Sequence, residues 1–106
     1  MKACVLEKLG QLVYKDVPMP TPKEDEVLLR VRACGICSSD TDRVFTTGPY
    51  HFPLIPGHEF SGEIVETGKG VDRAYLHRRA AVFPLLPCFR CPSCEEGSRT
   101  RGLVKK

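Results

Sequence analysis

The chain has 106 residues, which fits one domain with one modest hydrophobic core. Its composition is 42% hydrophobic and 27% charged. Met1–Glu7 reaches a charge by its seventh residue and contains no long apolar run, so the sequence favours a cytoplasmic globular protein without a signal peptide or a membrane span. The net charge of +3 does not indicate a nucleic-acid partner, because residues 97–106 carry a local +4 and leave −1 for residues 1–96.

Two short strands open the predicted fold. Alternating side chains predict strands over Ala3–Glu7 and Gln11–Val17, joined by a turn at Leu9-Gly10. Three prolines between positions 18 and 22 fix the torsion φ and remove amide donors, so this stretch is predicted to cross the surface in an extended form. The pattern therefore predicts a hairpin followed by a connecting segment.

The next strand leads directly into a helix. Alternation from Glu26 to Cys34 predicts a strand. A helix is predicted over Cys37–Phe45, because Ser38 or Ser39 can serve as its N-cap and acidic residues follow in the first turn. Cys37 is thus expected at the start of a helix, where unpaired backbone amides favour its thiolate.

The second half of the chain is predicted to consist of short strands and turns. Gly48-Pro49 ends the helix, and Tyr50–Pro56 is predicted to be an irregular apolar loop. Strands are predicted over Ser61–Thr67 and Arg79–Phe83. Because no helix is long enough to cover a sheet, the predicted fold is mainly β, a small, partly open barrel with one or two short helices and a cysteine-rich lobe.

A set of possible metal ligands lies between these elements. Cys37, His58 and Glu59 offer a thiolate, an imidazole and a carboxylate, which Zn²⁺ accepts, and such a set with one open position is typical of a catalytic site. A lone histidine is usually a core residue, but the flanking Gly57 and Glu59 favour a ligand at position 58.

The remaining histidines and two cysteines are assigned no site. Cys4 and Cys34 are predicted to be small buried apolar residues. His51 and His77 are predicted to lie in polar loops without a second type of ligand nearby. Cys88, Cys91 and Cys94 differ, because their close spacing excludes three independent disulfides and favours metal ligation in a reducing compartment.

Three motifs together resemble a known family. Gly35–Asp40, Gly57–Gly62 and the cysteine cluster, in this order and at these distances, resemble the N-terminal, chaperonin-10-like catalytic domain of zinc-dependent medium-chain alcohol dehydrogenases. The resemblance covers residues 1 to about 97 and leaves 98–106 as a divergent basic tail. His58–Gly62 and Pro84–Phe89 are most similar to the polyol and sugar-phosphate branch of that family.

The resemblance implies a chemistry for the ligand set. It implies that Cys37, His58 and Glu59 hold a catalytic zinc that assists alcohol oxidation, with hydride transfer to NAD. Ser39 matches the hydroxyl that relays the alcohol's proton. Asp40 matches a carboxylate that orients the histidine ligand.

Two neighbouring residues depart from the family or extend it. Asp42 stands where the family often has a histidine at the outer end of the proton relay, and a carboxylate can also relay a proton. Arg43 fits a solvated helix face, and in a sugar-phosphate dehydrogenase it is a candidate contact for the substrate phosphate.

The family's second, structural zinc is predicted to be incomplete here. Four cysteines hold it in relatives, whereas here Gly102 stands at the fourth position after Cys88, Cys91 and Cys94. The sequence also contains no Gly-x-Gly-x-x-Gly fingerprint, so no Rossmann domain is expected within these residues.

The expected function follows from these features. The chain is predicted to bind zinc without turnover, as part of an NAD-dependent enzyme whose full-length form acts on a small polyol or sugar phosphate. Two alternatives stay open: a zinc-binding interaction module that associates with itself or with a full-length homologue, and a truncated product. A zinc-less reductase of the same superfamily is disfavoured by Cys37 and His58.

Overall fold

A computed structural model describes residues 1–85 and 90–96. In chain order, these contain β1 (Lys2–Lys8), β2 (Gln11–Asp16), β3 (Val27–Gly35), α1 (Ser38–Phe45), β4 (Glu59–Thr67), a 3₁₀ turn (Arg73–Tyr75), β5 (Arg79–Ala81) and α2 (Pro92–Glu95). The fold is mainly β, as predicted, and within the described ranges the strands do not close into a barrel. None of the helices in these ranges combines the length and apolar character needed to cross a membrane.

The first two strands form the predicted antiparallel hairpin. Its turn contains Gly10 at φ 72°, a left-handed conformation that favours glycine. Leu6 is fully buried, and its backbone pairs with Leu54 through hydrogen bonds of 2.7 and 3.1 Å. These bonds attach the hairpin to the loop that follows α1.

The other three strands form an antiparallel sheet in the order β3, β4, β5. The ladder between β3 and β4 runs from Val27 opposite Thr67 to Gly35 opposite Glu59, and so brings the end of β3 to the start of β4. Gly62 is packed against β3 so closely that a Cβ would lie 2.1 Å from the Arg30 carbonyl oxygen. The last strand ends at Ala81, two residues earlier than predicted.

The core is small, and the two cysteines expected in it lie outside it. Cys4 and Cys34 are exposed, so their predicted burial is wrong. Both line an open apolar groove of about 430 Å³ beside α1. Alternation identified residues that share a face, but it does not determine whether another element covers that face.

Candidate metal centre

Cys37 occupies the N-cap of α1, two residues after β3 ends at Gly35. The predicted N-cap, Ser38 or Ser39, is therefore wrong by one or two positions. The reason is that the Asp40 carboxylate, three residues into the helix, accepts the Cys37 backbone N–H at 3.1 Å and pairs an otherwise unsatisfied donor. The cap holds Cys37 at the junction of β3 and α1.

The structure brings Cys37, His58 and Glu59 together. One sulfur, nitrogen or oxygen atom from each lies within 4.8 Å of the others. Tetrahedral ligands about 2.0–2.3 Å from a zinc ion are roughly 3.3–3.8 Å apart, so small side-chain adjustments bring these three atoms into a zinc-binding arrangement. Cys37 and His58 are half-buried and Glu59 is exposed, which leaves one side of the set open. The donor types and spacing fit zinc.

Asp40 contacts His58, one of the three potential ligands. It is 6% exposed, and its Oδ1 lies 3.1 Å from Nδ1 of His58. With Nδ1 engaged by the carboxylate, Nε2 is the nitrogen that can bind a metal, and the ring is fixed in orientation. Arg43 is the third partner, with its Nη1 3.7 Å from the same carboxylate oxygen.

The pKa values of Cys37 and His58 are both shifted by their neighbours. Hydrogen bonds from the side chain and backbone of Ser39, followed by one from His58, lower the pKa of the Cys37 thiol. The hydrogen bond with Cys37 and the negative charge of Asp40 raise the pKa of His58. The lowered pKa favours the Cys37 thiolate, which is the form that binds metals, whereas the raised pKa favours a protonated His58, which must lose that proton before it binds a metal.

Two other residues that the sequence singled out, Asp42 and Arg43, also lie on α1. The Asp42 carboxylate accepts a hydrogen bond from the Thr47 hydroxyl at 3.2 Å, at the end of the helix away from Cys37. Arg43 lines a cavity next to the cluster, together with His51 and Gly57. Their predicted roles in proton relay and phosphate binding stay predictions.

The cysteine lobe is described only in part. Cys91 is the N-cap of α2 and Cys94 lies within it, and both side chains are buried. Cys88, Gly102 and the basic tail at 98–106 lie outside the described residues.

His77 has a neighbour that was not expected. Its Nδ1 lies 3.3 Å from Oε1 of Glu63, so the prediction of no second ligand type nearby is wrong. Hydrogen bonds from His77 and then Arg32 lower the pKa of Glu63. The contact joins residues 14 positions apart, one in β4 and one between β4 and β5, and no local sequence pattern indicated it.

In the described part of the chain, Cys37, His58 and Glu59 are the one group of three potential ligands.

Known proteins are similar to this chain in sequence and in structure. Residues 23–104 match the alcohol dehydrogenase GroES-like domain. Galactitol 1-phosphate 5-dehydrogenase from Escherichia coli (strain K12) is 40% identical over 98 residues, which cover 92% of this chain and 28% of that protein. The chain thus spans less than a third of this relative.

Two crystal structures are similar to the chain over nearly its whole length. Galactitol-1-phosphate dehydrogenase from Escherichia coli has a TM-score of 0.91 and 37% identity, covering 98% of this chain and 30% of that one. The alcohol dehydrogenase RspB from Escherichia coli CFT073, solved with NADH, has a TM-score of 0.86 and 37% identity, covering 93% and 29%.

Proposed function

The chain belongs to the alcohol dehydrogenase GroES-like domain family, and we propose that it is the zinc-binding portion of a polyol or polyol-phosphate dehydrogenase. The family itself is the one predicted from the Gly35–Asp40 and Gly57–Gly62 motifs. The observation that carries the proposal is the convergence of Cys37, His58 and Glu59 from separate segments to within 4.8 Å.

Each residue of the centre has a distinct task in this proposal. Cys37, His58 and Glu59 hold the zinc ion, which supplies Lewis acidity that makes a bound alcohol easier to deprotonate. The Ser39 hydroxyl, two residues after Cys37, would accept the alcohol's proton while it releases its own proton towards solvent. Asp40 is a positioning residue, because it acts through the His58 ring, which it holds at Nδ1.

The hydride acceptor requires a site beyond these residues. The relative RspB was solved with NADH, whereas this sequence has no glycine fingerprint for a dinucleotide. We therefore expect the 106-residue chain to bind zinc but not to oxidise an alcohol. NAD is proposed as the acceptor in the longer relatives.

A second, weaker zinc site is proposed in the cysteine lobe. Cys91 and Cys94 are both buried at α2, and Cys88 precedes them in the sequence. Three thiolates hold zinc less completely than the usual four, so we expect this site to lose its metal first when a chelator is added.

One observation favours a second function, that of an interaction module. The groove beside α1 leaves Ile36 87% and Phe45 61% exposed, an apolar surface that a second copy or a full-length homologue would cover. Recovery of a stoichiometric complex with a co-expressed homologue would support this function, and a purely monomeric chain would not.

Metal analysis of the purified chain tests the main proposal. We expect Cys37→Ser and His58→Ala each to lose one equivalent of zinc relative to the unmodified chain. Cys4→Ser is the matched control, because this cysteine is exposed on β1 and lies outside the cluster. Unchanged zinc content in both cluster variants would refute the assignment of these ligands.

A further inference from the structure

A cavity beside the metal centre combines a cation with further polar groups. It has a volume of about 230 Å³, and Arg43, Tyr50, His51 and Gly57 are among the residues that line it. Pockets for whole drug-sized ligands measure about 300–1,000 Å³, so this one suits a single end of a small molecule. Because Gly57 directly precedes His58, the cavity adjoins the metal centre.

The guanidinium of Arg43 suits an anion in this position. Arginine presents a planar fork of donors that can bind two oxygens of one phosphate. Its contact with Asp40, at 3.7 Å, is an ion pair longer than a hydrogen bond, so the carboxylate holds the guanidinium without using up the fork. Asp40 is the negative charge nearest to this guanidinium among the contacts described, and it is itself paired with the Cys37 amide and His58. Glu59 and the Cys37 thiolate of the metal centre also carry negative charge, which a bound zinc ion would offset.

The rest of the cavity reinforces this preference. The Tyr50 hydroxyl and the His51 imidazole can donate hydrogen bonds. The other lining residues are apolar or proline and offer no side-chain acceptor or negative charge that would compete for the Arg43 guanidinium. These are Pro49, Leu54, Ile55 and Pro56.

We propose that this cavity, the Arg43 pocket, binds the phosphate group of a phosphorylated polyol, and that Arg43 determines the specificity for phosphorylated over plain polyols. The inference rests on the proposed function, because a hydroxyl of the same molecule must reach the metal centre. Asp40 contacts both Arg43 and His58, so one buried carboxylate fixes the pocket relative to the ligand set.

Nuclear magnetic resonance on the isotope-labelled, zinc-loaded chain tests the inference, with galactitol 1-phosphate and galactitol as paired probes. We expect galactitol 1-phosphate to bind about tenfold more tightly or better, as expected for one charge-assisted interaction, and to shift the Arg43 side-chain N–H and the Gly57 amide. Arg43→Gln should remove the difference between the probes while zinc content stays unchanged. Arg30→Gln, the same change on an exposed residue of β3, should preserve the difference.

A second measurement separates the pocket from the metal. Inorganic phosphate added to the zinc-free chain should shift the same two resonances, and Arg43→Gln should abolish this response. If the chain holds zinc at Cys37 and His58 but binds the two probes equally well, the inference about the Arg43 pocket is overturned and the proposed function is not. Absence of zinc from that site would instead count against the proposed function, and the zinc-free phosphate titration would still decide whether the Arg43 pocket binds phosphate.

Discussion

Replacement of Asp40 by asparagine tests how far the metal centre depends on one buried carboxylate. Asp40 uses Oδ2 for the Cys37 amide and Oδ1 for His58 Nδ1, each at 3.1 Å. An asparagine side chain has one acceptor oxygen, so one of these contacts is lost and the charge facing Arg43 disappears. A hydrogen bond involving a charged group contributes about 1.5–3 kcal/mol.

This loss should appear directly in zinc affinity. Removal of a residue that orients a metal ligand lowers metal affinity about 10–100-fold, or about 1.4–2.7 kcal/mol, which agrees with the hydrogen-bond figure. The assay is competition for zinc with a chromophoric chelator, with circular dichroism to verify folding.

Asp42→Asn provides the matched control for this experiment. It makes the same chemical change on the same helix, but Asp42 is exposed and its carboxylate bonds to Thr47 instead of the cluster. We expect its zinc affinity to stay within about twofold of the unmodified chain. A folded Asp40→Asn chain that binds zinc equally well would show that Asp40 does not position His58.

Two further predictions concern the stability of the sheet and the pH dependence of zinc binding. Gly62→Ala should lower the free energy of unfolding in urea by about 1–3 kcal/mol, because the new Cβ would lie 2.1 Å from the Arg30 carbonyl oxygen. Gly70→Ala, where the nearest atom is 3.1 Å away, should lower it less, and equal losses of stability would contradict the reasoning. Zinc affinity should rise with pH and continue rising above the ordinary imidazole value of 6.5, because zinc must displace a proton from His58, whose pKa is raised. A plateau reached below pH 6.5 in chelator competition would contradict this prediction.

The sequence was sufficient to predict the strands and the ligand set for different physical reasons. Alternation located β1 to β3, because a strand that buries one face repeats every two residues. The β-branched pair Ile64 and Val65, followed by glycines, located β4, whose first two residues lie before the predicted start. The ligand set was predictable because Cys37, His58 and Glu59 offer the donor types that zinc accepts and lie in motifs that resemble those of a known family.

Features that depend on contacts across the fold were not predictable. Cys4 and Cys34 are exposed because the groove they line is open, which alternation cannot reveal. The contact between His77 and Glu63 arises from the path of the chain between β4 and β5. Cys37 became the N-cap because Asp40 bonds to its amide, although cysteine is not among the residues preferred there.

The position of the metal centre follows from the last pair of the β3–β4 ladder. Gly35, two residues before Cys37, lies opposite Glu59 in this ladder. The pairing of the two backbones therefore fixes how far Glu59 lies from the start of α1. A Cβ at position 35 would lie 3.0 Å from the Glu59 carboxylate oxygen, closer than side chains normally approach, and would push that oxygen aside. Glycine at position 35 therefore leaves the space in which Glu59 can face Cys37. The centre is organised by backbone pairing at the end of the sheet, and for this reason a chain with a small core can still hold three ligands together.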